Sequence, residues 1–494
     1  MTSGPIETRG DEERSVPHTD QTWTASSIVG LAIVSISSVL FSIRNRNYEL
    51  DDALIYYRYV RNVLDGSGLV YNPGEYVNAL SSPLHSYLSI AVCSLFGSIR
   101  YPMIVQSTVF MIASTVVLYA LYNSHERNGR FVLLGGALIA TWSYFHSLYG
   151  METPLFLFLL AVCLLLYERR QIFWLGITSA LLVLARGEGI LLVLVMAAVH
   201  LARKRPLPPL REFAIPAVLL GGNAIFHRLY YGSFVPHTLM AKVNQGRSGL
   251  WGEGLNFLMV DYQVEWYFGG SRVIFATWAA LAILGILRLG RIELNIIILG
   301  FLSSLTAFYT VLNVPNYHWY YAPLYTFGCM YVGVGAAGLF AQAGRIPSVL
   351  LASLGRTAVI VLAVGWVGWS SYAAYTQPVS ATERQREYRL IGRWLKENTS
   401  PYDSVAMVEI GIIGFYSERR IVDILGLISP KNAESLGRRR YAEWLRNYQP
   451  DFILVHDPPW PQETRTVVRA MRRAYSAYEP FDFPGYVLLA RRRG

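Results

Sequence analysis

Long apolar runs separated by short charged loops fill the chain up to about position 375, and there the pattern breaks. A bilayer core needs about 20 apolar residues as helix, fewer where neighbours or thinning help. On that measure 25–43, 102–122, 131–148, 154–167, 172–185, 190–202, 213–230, 272–289, 292–311, 322–342 and 357–374 are predicted membrane helices. The stretch 83–99 is also apolar, and loop charge decides how it is read. The loops carrying His125, Arg127 and Arg130; Glu168, Arg169 and Arg170; Arg203, Lys204 and Arg205; Arg288 and Arg291; and Arg345 and Arg356 are expected on the cytoplasmic side. The loops 149–153, 186–189, 231–271 and 312–321 then face outward. This alternation requires 83–122 to cross once, so 83–99 reads as a re-entrant or interfacial helix. Eleven helices result, with the tail 1–24 inside and the C-terminus outside. Arg44 and Arg46 run against the rule; they mark the interface or meet an anionic headgroup.

Beyond the break, 376–494 reads as a soluble domain. Residues 383–397 form an amphipathic helix with Tyr388, Ile391, Trp394 and Leu395 on one face. Short buried strands are expected at 404–407, 421–424, 451–456 and 486–490, with a helix at 441–448 before the third. That alternation predicts a small α/β domain. The expected fold class is therefore mainly α, a polytopic membrane core (25–375, first outer loop 44–101) with a C-terminal α/β domain.

Composition agrees. The chain is 53% hydrophobic and 15% charged, whereas soluble domains carry about 25% charged residues. The net charge of +10 could suggest nucleic acid, but the basic residues sit in short loops between apolar runs, so nucleic acid is not an expected partner. Cys93, Cys163 and Cys329 lie in apolar segments, match no metal spacing and read as small buried hydrophobes. Residues 1–22 are polar and lack a cleavage site, so the first apolar run reads as an uncleaved helix.

The loop after the first helix carries candidate chemistry. Asp51 and Asp52 are adjacent carboxylates at the mouth of a span, an expensive place for charge. Arg58 and Arg61 recur at i, i+3 behind them. An acid beside guanidiniums can deprotonate a hydroxyl while a phosphate leaving group is held nearby. The same residues would equally make an interfacial helix with snorkelling arginines, or pair with one another. Glycines and an Asn-Pro-Gly turn follow (Gly66, Gly68, Asn72, Pro73, Gly74), and Ser82-Pro83 suits a helix start.

At this point the residues resemble a known family, the GT-C glycosyltransferases, in the branch that includes the mycobacterial arabinofuranosyltransferases. The likeness lies in Asp51-Asp52-Ala53, Arg58-Tyr59, Asn62, the Gly66–Glu75 turn and Ser82-Pro83-Leu84. It continues in Gly150-Met151-Glu152-Thr153-Pro154-Leu155 and in Arg186-Gly187-Glu188-Gly189, where glycine replaces the family's proline. Tyr231-Gly232, Pro236-His237-Thr238 and Ala241-Lys242 follow, with His237 replacing asparagine. His318-Trp319-Tyr320-Tyr321-Ala322-Pro323-Leu324, Glu409-Ile410-Gly411 and Asp423-Ile424-Leu425-Gly426-Leu427 complete the series in order.

The resemblance implies inverting transfer of a sugar, with arabinofuranose a candidate, from a polyprenyl-phosphate donor to a glycan, glycolipid or protein acceptor. It implies that a first-loop carboxylate is the general base, Asp51 first and Asp52 second. Inversion calls for one base and for cations at the leaving phosphate; Arg58, Arg186, Lys242 and then Arg61 are the candidates. Glu152, Glu188, His237, His318 and Tyr320 are candidate sugar or acceptor contacts. Each has a plainer reading: an Arg186–Glu188 ion pair, structural histidines, an aromatic belt. Asp51, Asp52, Glu152 and Glu188 could also converge on a divalent cation. Glu409, Asp423 and Asp457 read as structural. The competing function is a transporter or flippase of lipid-linked sugars, which should show polar pairs at midplane depth and helices broken in matching halves; the charges here gather on one face. A third, a non-catalytic assembly protein, sits poorly with the retained Asp51-Asp52 pair.

Overall fold

A computed structural model describes residues 23–492 except 127, 252–254, 314, 378, 380–382, 464–470 and 472–473. Residues 1–22 of the predicted tail, and the loop cation Arg127, lie outside the described residues.

The hydropathy runs become helices. In chain order they are α1 (Ala25–Arg44), α2 (Asp51–Leu64), α3 (Pro83–Phe96), α4 (Arg100–Asn123), α5 (Val132–Thr141), α6 (Ser143–His146), α7 (Thr153–Glu168), α8 (Ile172–Ala185), α9 (Gly189–Ala202), α10 (Ala214–Tyr231), α11 (His237–Ser248), α12 (Val260–Tyr267), α13 (Arg272–Leu289), α14 (Glu293–Leu312), α15 (Ala322–Ala343) and α16 (Val349–Thr376). Local signals set several boundaries. Thr24 caps α1 by accepting from the Ser27 amide. Ser82 caps α3, Pro83 opens it and Gly97 closes it in the left-handed region. The predicted 131–148 span breaks at Trp142, whose backbone is extended, giving α5 and α6.

Among the described residues six helices are long and apolar enough to cross a membrane: α1, α4, α13, α14, α15 with the turn before it, and α16. The shorter α5, α7, α8 and α9 are also apolar. The chain is a multi-pass membrane protein. The segment predicted to be re-entrant is helical as α3 and packs against α2, α4 and α8. At the centre, α15 is buried and lies against α13 and α5. A Cβ on Gly285 would stand 2.1 Å from the Tyr331 carbonyl oxygen, and one on Gly335 2.1 Å from that of Leu281. Small residues therefore set the α13–α15 approach, the usual solution where lipid supplies no hydrophobic drive.

The two ends of the bundle differ. At one end, loops expected on the cytoplasmic side are tied together: Arg205 grips Glu293 at 2.5 and 2.6 Å, Arg288 pairs with Glu126, and His125 with Glu168. At the other end lie α2, the mouths of α7 and α9, and the tail.

The tail begins with α17 (Glu383–Asn398) and holds a five-stranded sheet: β1 (Ser404–Met407), β2 (Arg420–Asp423), β3 (Phe452–His456), β4 (Tyr475–Ala477) and β5 (Tyr486–Arg491). The order is β2-β1-β3-β5-β4. β1 runs parallel to β2 (Ser404 opposite Arg420) and to β3 (Val405 opposite Phe452); β3–β5 and β5–β4 are antiparallel. Between them lie α18 (Ile412–Ser417), α19 (Pro430–Gly437) and α20 (Glu443–Tyr448). Four strands were expected from the alternation; β4, three residues long, carries too little pattern to read.

Candidate active site

The loop after α1, with α2, is joined to the tail almost atom by atom. Asp51 opens α2, and its carboxylate turns outward to cap another helix. Oδ1 accepts the Ile412 amide at 2.7 Å and Oδ2 the Gly411 amide at 2.9 Å, where the positive end of α18 favours an anion. Position 411 must be glycine, since a Cβ there would fall 1.8 Å from the Asp51 carbonyl oxygen. Two turns further along α2, Arg58 is 2% exposed and spends its guanidinium on the Tyr71, Gly414 and Arg419 carbonyls and on Asn72 Oδ1. Asn72 in turn pairs with edge strand β2 as a neighbouring strand would, donating to the Ile421 carbonyl at 2.8 Å and accepting its amide at 3.0 Å.

Beneath this seam lies a cavity of about 140 Å³. Asp52 and Tyr56 line it from α2; Met151 and Glu152 from the mouth of α7; Thr238, Lys242 and Gln245 from α11; and Tyr317, Trp319 and Tyr320 from the turn before α15. Thr238, Lys242 and Gln245 stand at i, i+4 and i+7, one face of a helix. The tail closes the roof with Glu409, Ile410 and Asp423. Asp51 reaches the cavity as well.

The electrostatics set the two aspartates apart. Burial, Asp51 and other carboxylates push the Asp52 carboxyl up to about 7, against the pull of Lys242. Burial also raises Asp51, but its two amide donors act the other way. Lys242 is lowered by burial, with Glu188 opposing, and its Nζ lies 4.9 Å from the centre of the Tyr320 ring. Behind Glu152, Arg186 donates to Glu152 at 2.7 Å, to Glu188 at 3.0 Å and to the Tyr309 hydroxyl at 3.1 Å; Tyr309 donates to Glu188 at 2.6 Å. Burial raises Glu188, but Arg186 and Lys242 outweigh it and hold it at about 2. Among the described residues Glu152 Oε2 and the Tyr320 hydroxyl are buried without a hydrogen-bond partner, and both residues line the cavity, which suits them to a hydroxyl-rich ligand.

The predicted residues thus divide. Asp51, Asp52, Glu152, Lys242 and Tyr320 come together around one cavity. Arg186 and Glu188 stand behind it, and the ion pair weighed as the plainer reading is present but extends to Glu152. Arg58 and Arg61 do not face the cavity, which corrects the expectation drawn from their spacing. Arg58 is consumed by the seam; Arg61 sits over the Phe415 ring and pairs with Glu418 at 3.3 Å. Neither pairs with Asp51 or Asp52. His237 bonds the Gly426 carbonyl at 2.9 Å, and His318 receives Tyr144 at its carbonyl; neither lines the cavity. Asp51, Asp52, Glu152 and Glu188 do not converge: two turn to Arg186 and one to α18. Among the described residues no group of three His, Cys, Asp or Glu side chains is arranged to hold a metal ion. Asp423, expected to be structural, accepts the Leu425 and Ile428 amides and lines the cavity roof as well. Glu409, likewise expected to be structural, lies in the cavity wall; the Glu409-Ile410-Gly411 motif marks its segment but not the direction of its side chain.

The loop after α1 and the C-terminal domain meet over this acidic, aromatic cavity at one end of the helical bundle. The chain superposes on ArnT from Cupriavidus metallidurans bound to undecaprenyl phosphate with a TM-score of 0.55 at 12% identity, covering 94% of this chain and 98% of that one. The apo state of the same protein gives 0.54 at 12% identity, covering 94% and 97%. In sequence, the chain resembles the terminal β-(1→2)-arabinofuranosyltransferase of Mycobacterium tuberculosis (strain ATCC 25618 / H37Rv), 30% identical over 240 residues; the match covers 43% of this chain and 37% of that protein's length. Residues 373–491 match a domain of unknown function, DUF8728. The fold is GT-C, and the resemblance to the arabinofuranosyltransferases stands.

Proposed function

We propose that this protein is a membrane glycosyltransferase that moves a sugar from a polyprenyl-phosphate donor to an acceptor hydroxyl, with inversion, at the outer face. The observation that carries this is the cavity itself: the Asp52 carboxyl, which titrates near neutral pH, shares the lining with Lys242 and with two polar groups left unpartnered among the described residues, under an aromatic wall. The undecaprenyl phosphate of the ArnT structure supports a polyprenyl-phosphate donor, and the mycobacterial relative supports arabinofuranose as the sugar. In this reading 25–375 is the catalytic core, 376–494 the exterior domain and the N-terminus cytoplasmic.

Asp52, not Asp51, is the base in this scheme, because both Asp51 oxygens are occupied by amides whereas Asp52 is held where a base is most effective. The acceptor oxygen attacks the anomeric carbon as its proton passes to Asp52. The bond from that carbon to the phosphate oxygen breaks on the opposite face, and the phosphate leaves towards Lys242, a compact cation suited to it. Glu152 Oε2 and Tyr320 hold sugar hydroxyls. Arg186 fixes Glu152 and tempers its charge.

The test is transfer in vitro from a panel of purified polyprenyl-phosphate sugars. Wild type is expected to transfer, Asp52→Asn to lose roughly 10²–10⁴-fold in kcat, and Lys242→Ala to lose donor binding. Full activity in Asp52→Asn would refute the base; no transfer from any donor would refute the function.

A further inference from the structure

The scheme above leaves one cavity residue unused. Glu409 lies two residues beyond β1, in the roof of the cavity that Asp51 and Asp52 also line, and its carboxyl stands within hydrogen-bonding reach of that of Asp51. Two carboxyls share a hydrogen bond only when one of them holds a proton. The remaining partners show which. Asp51 accepts backbone N–H groups at both oxygens, contacts that favour its ionised form. Glu409 faces Asp51 and Asp52 from α2, Arg384 and Tyr388 from α17, Tyr317 from the loop before α15, and Lys242 across the cavity. Burial, with the two aspartates, raises it well above the carboxylate range, and Arg384 opposes this less strongly.

We propose that Glu409, carried into the transfer centre by the C-terminal domain, is a positioning residue that holds a proton against Asp51 and leaves Asp52 as the carboxyl free to titrate. The inference rests on the glycosyl-transfer reading of this cavity. The proton stays on Glu409 as the donor of its bond to Asp51, and Glu409 makes or breaks no substrate bond. Ionised Glu409 would set a third negative charge beside Asp51 and Asp52 and would repel Asp51 across the seam. Transfer should therefore fall on the alkaline side as Glu409 loses its proton, while Asp52 governs the acid side.

The experiment uses the full chain in lipid nanodiscs, with two readouts. Infrared spectra at neutral pH should show the carbonyl stretch of a buried protonated carboxyl that Glu409→Gln removes and Asp51→Asn shifts. In the transfer assay Glu409→Gln, whose amide can donate to Asp51 without titrating, should keep kcat within about threefold and lose the alkaline limb while keeping the acid limb. Glu409→Ala should lose on the order of tenfold or more, with its folding checked by thermal unfolding. Three results would overturn the proposal: a protonated-carboxyl band unchanged in Glu409→Gln, Glu409→Gln as inactive as Asp52→Asn, or a folded Glu409→Ala with wild-type activity and profile. If the band behaves as expected but wild type transfers nothing, the shared proton stands and the transferase reading falls.

Discussion

Holding a carboxyl in a cavity among other carboxylates costs stability, and at Asp52 that cost depends on pH. An aspartate in the unfolded chain ionises near 4, whereas in the fold Asp52 does so at about 7. The penalty is therefore absent near pH 4, grows as pH rises towards 7 and is complete above it. Asp52→Asn is expected to melt higher than wild type at pH 8, by on the order of 1 kcal/mol or more, and equally at pH 4, while losing transfer. A lower melting temperature at pH 8 would contradict the assignment. Arg186 is the opposite case, a cation whose partners need it. Arg186→Ala leaves Glu152 and Glu188 without their shared guanidinium and should cost roughly 3–5 kcal/mol in thermal unfolding. Arg186→Lys should recover little of this, because a single ammonium does not reproduce the forked bridge.

Helices were legible in the sequence wherever an apolar run was long enough or, as in α17, one face repeated with the helical period. Each predicted span is helical apart from the break at Trp142, α17 falls within a residue of its expected limits, and the strands expected at 404–407 and 451–456 are present as β1 and β3. Side-chain direction was less legible. The i, i+3 spacing of Arg58 and Arg61 correctly described one helical face, but that face looks at Gly414, 356 residues away, and no local pattern encodes such a docking. Glu409 escaped for the same reason, since a strand end has no fixed direction until the sheet is placed. The face of α11 was available in principle from the spacing of Thr238, Lys242 and Gln245. At this scale Gly411→Ala is the sharpest probe. The added methyl should push α18 from the start of α2, so that transfer falls at least tenfold and protease sensitivity rises in the tail before the membrane core.

For the molecule as a whole, the proposed sidedness puts the tail and the cavity at the outer face and the Arg205–Glu293 end inside. Cys93, Cys163 and Cys329 are buried, so the chain gives a low background for thiol labelling. Tyr402, 92% exposed on the tail, and Lys204, exposed in the loop after α9, are suitable sites. In intact cells a membrane-impermeant maleimide should label Tyr402→Cys and spare Lys204→Cys until the membrane is opened; the reverse pattern would invert the topology. The seam between the first loop and the tail has a further consequence. Asp51, Arg58 and Asn72 address the tail through its main chain: the Gly411, Ile412 and Ile421 amides and the Gly414, Arg419 and Ile421 carbonyls. A contact written in peptide groups is indifferent to most side chains on that partner. The tail is therefore free to diversify much of its surface, and to be exchanged for another tail of the same backbone, so long as positions 411 and 414 stay glycine and the side chains that the first loop grips, Glu418 and Arg420 among them, are kept.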